Sequence, residues 1–121
     1  STNGTSTIIA QIGPSGGIET SGYLGTAATV GNAIATSAIN SSAGYPVANT
    51  AATSVHHGTL TFSHMGSNQW VISGTLGRSD AAAASFFGGA KTIANTLTQV
   101  RITTATGADQ FDSGVLSVSW E

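Results

Sequence analysis

Large apolar residues recur at every second position along this chain, in short runs set between glycine-rich turns. In Gly58–His64, Leu60 and Phe62 fall on one face while Thr59, Thr61 and Ser63 fall on the other, as a period of two requires. In Trp70–Leu76, Trp70, Ile72 and Leu76 face one way and Ser73 and Thr75 the other. The short linker Gly66-Ser67-Asn68 predicts that these two strands form a hairpin. Val100 and Ile102 alternate with Gln99, Arg101 and Thr103 in Thr98–Thr104. Leu116, Val118 and Trp120 alternate with Ser117 and Ser119 in Val115–Trp120, and Ala105-Thr106-Gly107-Ala108-Asp109 between these runs is a turn signal. Thr7–Ile12 is β-branched and bounded by Asn3-Gly4 and by Gly13-Pro14-Ser15-Gly16-Gly17.

Two stretches are less defined. Val30, Ile34 and Ile39 suggest one or two strands within residues 25–55. Asp80-Ala-Ala-Ala-Ala-Ser85 reads either as a turn of helix capped by Asp80 or as an alanine-rich strand. One wet and one buried face per strand is the pattern of antiparallel sheets. Many short strands with frequent turns indicate a sandwich or barrel. The expected fold is all-β, an antiparallel β-sandwich of jelly-roll type, as a single domain over residues 1–121.

Composition sharpens this picture. Ser and Thr fill 34 of the 121 positions, Ala 18 and Gly 16. Leu, Ile, Val and Phe still number 25, enough with a small net charge to favour a folded chain over a disordered one. The core is nevertheless thin, which hints at stabilisation by a partner chain. Three basic residues and a net charge of −2 leave no cationic patch for phosphates, so no nucleic-acid partner is expected. No apolar run is long enough for a membrane span, and the N-terminus does not read as a signal peptide. Zero cysteines exclude disulfides, thiolate metal sites and cysteine nucleophiles.

Candidate chemistry is sparse. His56, His57 and His64 are the only histidines. His56 and His57 point to opposite faces of a strand, whereas a metal needs three or four converging ligands. One histidine per chain around a threefold axis is the less demanding arrangement, and packed or hydrogen-bonded histidines the ordinary one. Asp109 and Asp112 bracket Gln110-Phe111. They fall short of a calcium shell and read as acceptors for backbone N–H groups in turns, with Phe111 anchoring the loop in the core. No metal or other cofactor is therefore expected. No carboxylate pair suits glycoside hydrolysis, and no serine sits in a nucleophile elbow. Gly13–Gly17 lacks the lysine and helix of a phosphate loop. A non-enzymatic protein is expected. Aromatic side chains remain as ligand contacts: Tyr23 and Tyr45, placed by their neighbours in loops, and Trp70. Trp70 and Trp120 are also in phase with core positions.

Several segments resemble a known family. Gln11-Ile-Gly-Pro-Ser-Gly-Gly-Ile-Glu-Thr-Ser-Gly-Tyr23, preceded by Ser1-Thr-Asn-Gly-Thr-Ser6, is similar to a segment near the C-termini of tailed-bacteriophage tail-fibre and related virion proteins. Trp70-Val-Ile-Ser-Gly74 resembles their "WVASG" stretch and Gly88-Gly-Ala-Lys-Thr92 their "GGSKTL" region. Gln99-Val-Arg-Ile-Thr-Thr104, Asp109-Gln-Phe-Asp-Ser-Gly114 and the terminal Trp120-Glu121 resemble their ending, "RVRITT", "DTFDAG" and a last aromatic before Glu. The motifs occur in order along nearly the whole chain. The resemblance implies a β-sandwich at the distal end of a homotrimeric fibre, located on the virion and extracellular. Its implied partner is a bacterial surface glycan or outer-membrane receptor, with no membrane insertion. The family pattern places a further hydrophobic strand ahead of the Ser1 segment, so the domain is expected to be the C-terminal part of a longer fibre or to receive that strand from elsewhere. The competing expectations are a structural virion protein, as capsid decoration or tail-assembly module, and a bacterial adhesin or carbohydrate-binding module.

Overall fold

A computed structural model describes residues 1–31 and 34–121. Among the described residues eight strands appear in chain order: β1 (Ile8–Gly13), β2 (Leu24–Gly31), β3 (Ile34–Asn40), β4 (Tyr45–Ala48), β5 (His56–His64), β6 (Gln69–Arg78), β7 (Ala83–Thr92) and β8 (Gln99–Thr104). They form a three-stranded sheet, β4-β1-β8, and a five-stranded sheet, β3-β2-β7-β6-β5. All pairings are antiparallel. The sheets pack face to face, so the expected all-β sandwich is what the chain forms.

The alternation read from sequence sets the faces. Ala27, Phe87, Gly74 and Leu60 lie in one cross-strand row of the long sheet and point inward. They meet Ile8, Ala10 and Ile12 of β1 and Val47 of β4 in a single core. Two glycines make room for rings there. A Cβ on Gly74 would stand 2.6 Å from the Phe87 ring, and one on Gly89 would stand 2.9 Å from the Tyr45 ring. The Phe87 ring thus packs against the adjacent strand at Gly74, and the Tyr45 ring against the facing sheet at Gly89. β1 is buried on both faces. Its outward Gln11 donates from Nε2 to the Ala43 carbonyl at 2.7 Å and accepts from Arg101, which covers that side.

Several elements depart from the sequence reading. Residues 25–55 hold three strands rather than one or two, because Tyr45-Pro-Val-Ala48 adds an edge strand to the short sheet. Of the two readings of residues 80–85 the strand is the one formed, since Ala83 begins β7; Asp80 caps no helix and instead accepts the Val55 N–H at 2.9 Å and pairs with Arg78. The largest departure is Val115–Trp120, which forms no strand. Val115, Leu116, Val118 and Trp120 are 96%, 68%, 65% and 87% exposed. Phe111 is half-exposed and does not anchor the core. The chain leaving β8 pairs with Ser1–Asn3, through the Thr2–Phe111 bridge, and among the described residues no strand pairs with it past Ser113.

Candidate functional site

Two of the three expected contact aromatics are core residues. Tyr23 and Tyr45 are 2% and 0% exposed. Their rings meet edge to face at 4.9 Å, a favoured geometry for aromatic pairs. The Tyr23 hydroxyl accepts the Ile12 N–H at 2.9 Å and has the Glu19 carbonyl at 2.8 Å as an acceptor. It thereby closes the glycine-rich loop that the sequence marked as a turn. Burial pushes both phenols above their ordinary pKa. Neither ring is exposed enough to stack on a ligand. Glycine and proline neighbours suggested loops; the apolar company of Ile12, Phe62 and Ile72 took the rings inside.

Trp70 is placed differently. It is partly buried against the core, at the first turn of β6. Cross-strand pairing sets it opposite His64 of β5 on one side and Lys91 of β7 on the other. The His64 and Trp70 rings stack at 4.8 Å, with 25° between their planes. His64 is exposed, so the stack is a shelf with its imidazole face toward solvent. Met65, 61% exposed, lies at the hairpin tip beside it. The tip is held by the Met65 N–H to Gln69 carbonyl bond at 2.8 Å, with Ser67 and Asn68 in the left-handed region at φ 49° and 59°.

An ion pair continues the row beyond Trp70. Lys91 Nζ lies 2.9 Å from Glu19 Oε1 and 5.3 Å from the centre of the Tyr23 ring. Glu19 Oε2 also accepts the Ala94 N–H at 2.8 Å. Partial burial opposes ionisation of Glu19; the Ala94 N–H and the Lys91 ammonium outweigh it and hold the carboxyl below its usual range. Sequence reasoning missed this pair. The signal for it is the rarity of charge, since a chain with eight charged side chains places each for a reason. Close by, Leu24, Gly25, Asn40, Ser41 and Ser42 line an open cleft of about 410 Å³ above Tyr23.

The candidate metal ligands do not come together. Among the described residues no group of three His, Cys, Asp or Glu side chains converges. His56 and His64 sit at opposite ends of β5, and His57 is exposed on the other face. Burial, then the Arg78 charge opposite it, lowers the His56 pKa below its ordinary value. Asp109 accepts the Ser6 N–H at 2.7 Å, as a turn carboxylate should, while Asp112 accepts the Ser1 hydroxyl.

The outer face of the long sheet is built from small, uncharged side chains. Thr26, Gly88, Ser73 and Thr61 form one cross-strand row, and Ala28, Phe86, Thr75 and Thr59 the next. Phe86 is 51% exposed at its centre. No known protein family, curated protein or solved structure matches the chain.

Proposed function

We propose that this chain is a non-enzymatic binding domain at the distal end of a tailed-phage tail fibre, contacting a glycan of the bacterial surface. The ordered resemblance of its motifs to such fibre proteins supports the viral setting. The observation that carries glycan binding is the His64–Trp70 stack, a solvent-facing aromatic shelf with the Glu19–Lys91 ion pair in line. The apolar C–H face of a sugar ring lies on such a shelf, and its hydroxyls take hydrogen bonds from flanking polar groups. A near-neutral chain suits an uncharged sugar, because it offers no long-range steering for ions.

Adsorption of the purified domain to lipopolysaccharide and capsular polysaccharide fractions tests the reading. His64→Ala should weaken adsorption about tenfold, equivalent to about 1.4 kcal/mol, with Tm unchanged because the side chain is exposed. Thr61→Ala, on the opposite face, should bind as the parent does. Equal binding by parent and His64→Ala, or binding to neither fraction, sinks the glycan reading.

A structural virion role is the second reading. It is favoured by the uncharged outer face around Phe86, which suits packing against a neighbouring subunit. Localising the chain on the particle separates the two: distal tail for adsorption, capsid or tail tube for structure.

A further inference from the structure

Strand β5 ends at His64, β6 begins at Gln69, β7 ends at Thr92, β2 begins at Leu24 and β3 ends at Asn40. Since all neighbours are antiparallel, these five strand ends lie side by side at one end of the long sheet, in the order β3-β2-β7-β6-β5. Register aligns His64, Trp70 and Lys91 across three of them. Past Lys91, Ala90 pairs with Leu24, and the Ser42 carbonyl accepts the Tyr23 N–H at 3.2 Å, which keeps the cleft level with the row. Strands are spaced by about 4.8 Å, so the row from His64 to Ser42 is about 19 Å long. It has apolar surface at both ends and a recessed polar middle. The His64–Trp70 stack stands at one end. At the other, Leu24 is 77% exposed on the cleft wall, with the exposed Asn40 and Ser42 beside it. Between them the Lys91 and Glu19 side chains are only 10% and 25% exposed. Their charges cancel, and both keep hydrogen-bonding capacity beyond the contacts they make with each other and with Ala94.

We propose that this row is one extended site for a linear stretch of uncharged polysaccharide about four rings long, with the shelf holding one end and the cleft the other. The inference rests on the glycan reading and adds to it a length and a second anchor. A pyranose repeat is close to one strand spacing, so about four rings fill the row. The C–H face of the first ring lies on the His64 imidazole and that of the last on Leu24. Ring hydroxyls exchange hydrogen bonds with the ion pair in the middle and with Asn40 at the far end. The middle offers no net charge, so a neutral chain meets no unpaired ion there. A single sugar cannot reach both anchors. A longer fragment can, and its second contact forms at the high effective concentration set by the rings between. Affinity therefore grows with length until both anchors are filled and then stops growing.

Titration calorimetry of the full chain tests this, with fragments of one to about eight rings cut from the polysaccharide fraction that it adsorbs. Affinity should rise at least about tenfold between about two and about four rings and level off soon after. Leu24→Ser and Asn40→Ala should each cut that rise to under about threefold, with Tm unchanged because both side chains are exposed. His64→Ala should weaken short and long fragments alike and keep the rise. Added salt should leave the affinities where they are, since no net charge is paired on binding. Affinity already complete at two rings, a rise that survives both cleft variants, or a steep loss with salt would overturn the extended site and leave the shelf standing. Adsorption to neither polysaccharide fraction would overturn both.

Discussion

The Tyr45 hydroxyl donates a 2.7 Å hydrogen bond to the carbonyl oxygen of Trp70. One residue belongs to the short sheet and the other to the long sheet, so the bond crosses the sandwich at the residue that carries the aromatic shelf. The position of the shelf is thereby tied to the packing of the core beneath it.

Removing that hydroxyl should loosen the tie without emptying the core. Tyr45→Phe keeps the ring contacts with Tyr23 and Phe62, at 4.9 and 6.2 Å. Its expected cost is about 1 kcal/mol, read as a lower urea midpoint with an unchanged slope. A midpoint equal to the parent's would show that the bond contributes nothing.

Gly89 should be far less tolerant than Gly16. An added Cβ at Gly89 would fall 2.6 Å from the Leu24 carbonyl oxygen and 2.9 Å from the Tyr45 ring, whereas at Gly16 nothing lies within 4 Å. Gly89→Ala should destabilise by about 1–3 kcal/mol, the usual cost of overpacking. Gly16→Ala should leave Tm within experimental error. Similar Tm values for the two variants would contradict the packing described for Tyr45.

Stability should fall in mild acid because of His56. Burial, and then the Arg78 charge, hold its folded pKa below the ordinary 6.5. The unfolded chain therefore takes up a proton at higher pH than the folded one does. The contribution of the neutral imidazole is complete above 6.5 and is lost as pH drops through the folded value. Urea midpoints from about pH 8 to pH 5 should decline, and His56→Gln should flatten that decline. A flat profile for the parent chain would refute the assignment.

Glu19 should add a second loss at lower pH. Its carboxyl is held below the ordinary 4.5, so the stability it adds is present above that value and disappears as pH falls through the folded one. The pair with Lys91 is partly solvent-exposed, so Glu19→Gln should cost under about 1 kcal/mol at neutral pH. The expected sign is a shallower loss below pH 4.5 in the variant; an unchanged acid limb would rule Glu19 out as the titrating group.

Where burial followed alternation, the fold was readable from residues alone. Leu60 and Phe62 against Thr59 and Thr61 placed β5, and Trp70, Ile72 and Leu76 placed β6, with their hairpin as expected. Alternation failed at Leu116, Val118 and Trp120, since it reports that a strand can have two faces, not that a neighbouring strand is there to bond it. Residues 25–55 hid three strands because alanine and threonine suit either face of a sheet. At the candidate site Trp70 was legible, while the stack with His64 and the ion pair of Glu19 with Lys91 were not. They join residues from different strands, and only register brings such side chains together.

Enclosure of β1 on both faces sets the order in which the molecule comes apart. The amides of Ala10 and Ile12 sit in the middle strand of their sheet, with Ile9 and Ala10 1% and 0% exposed. Their protons should exchange with deuterated solvent only when the whole sandwich opens, and so report global unfolding. An isolated chain's amides beyond Ser113 should exchange within the dead time. The two rates bracket everything between them, and any surface that slows the second must be one that has closed over the end of the chain.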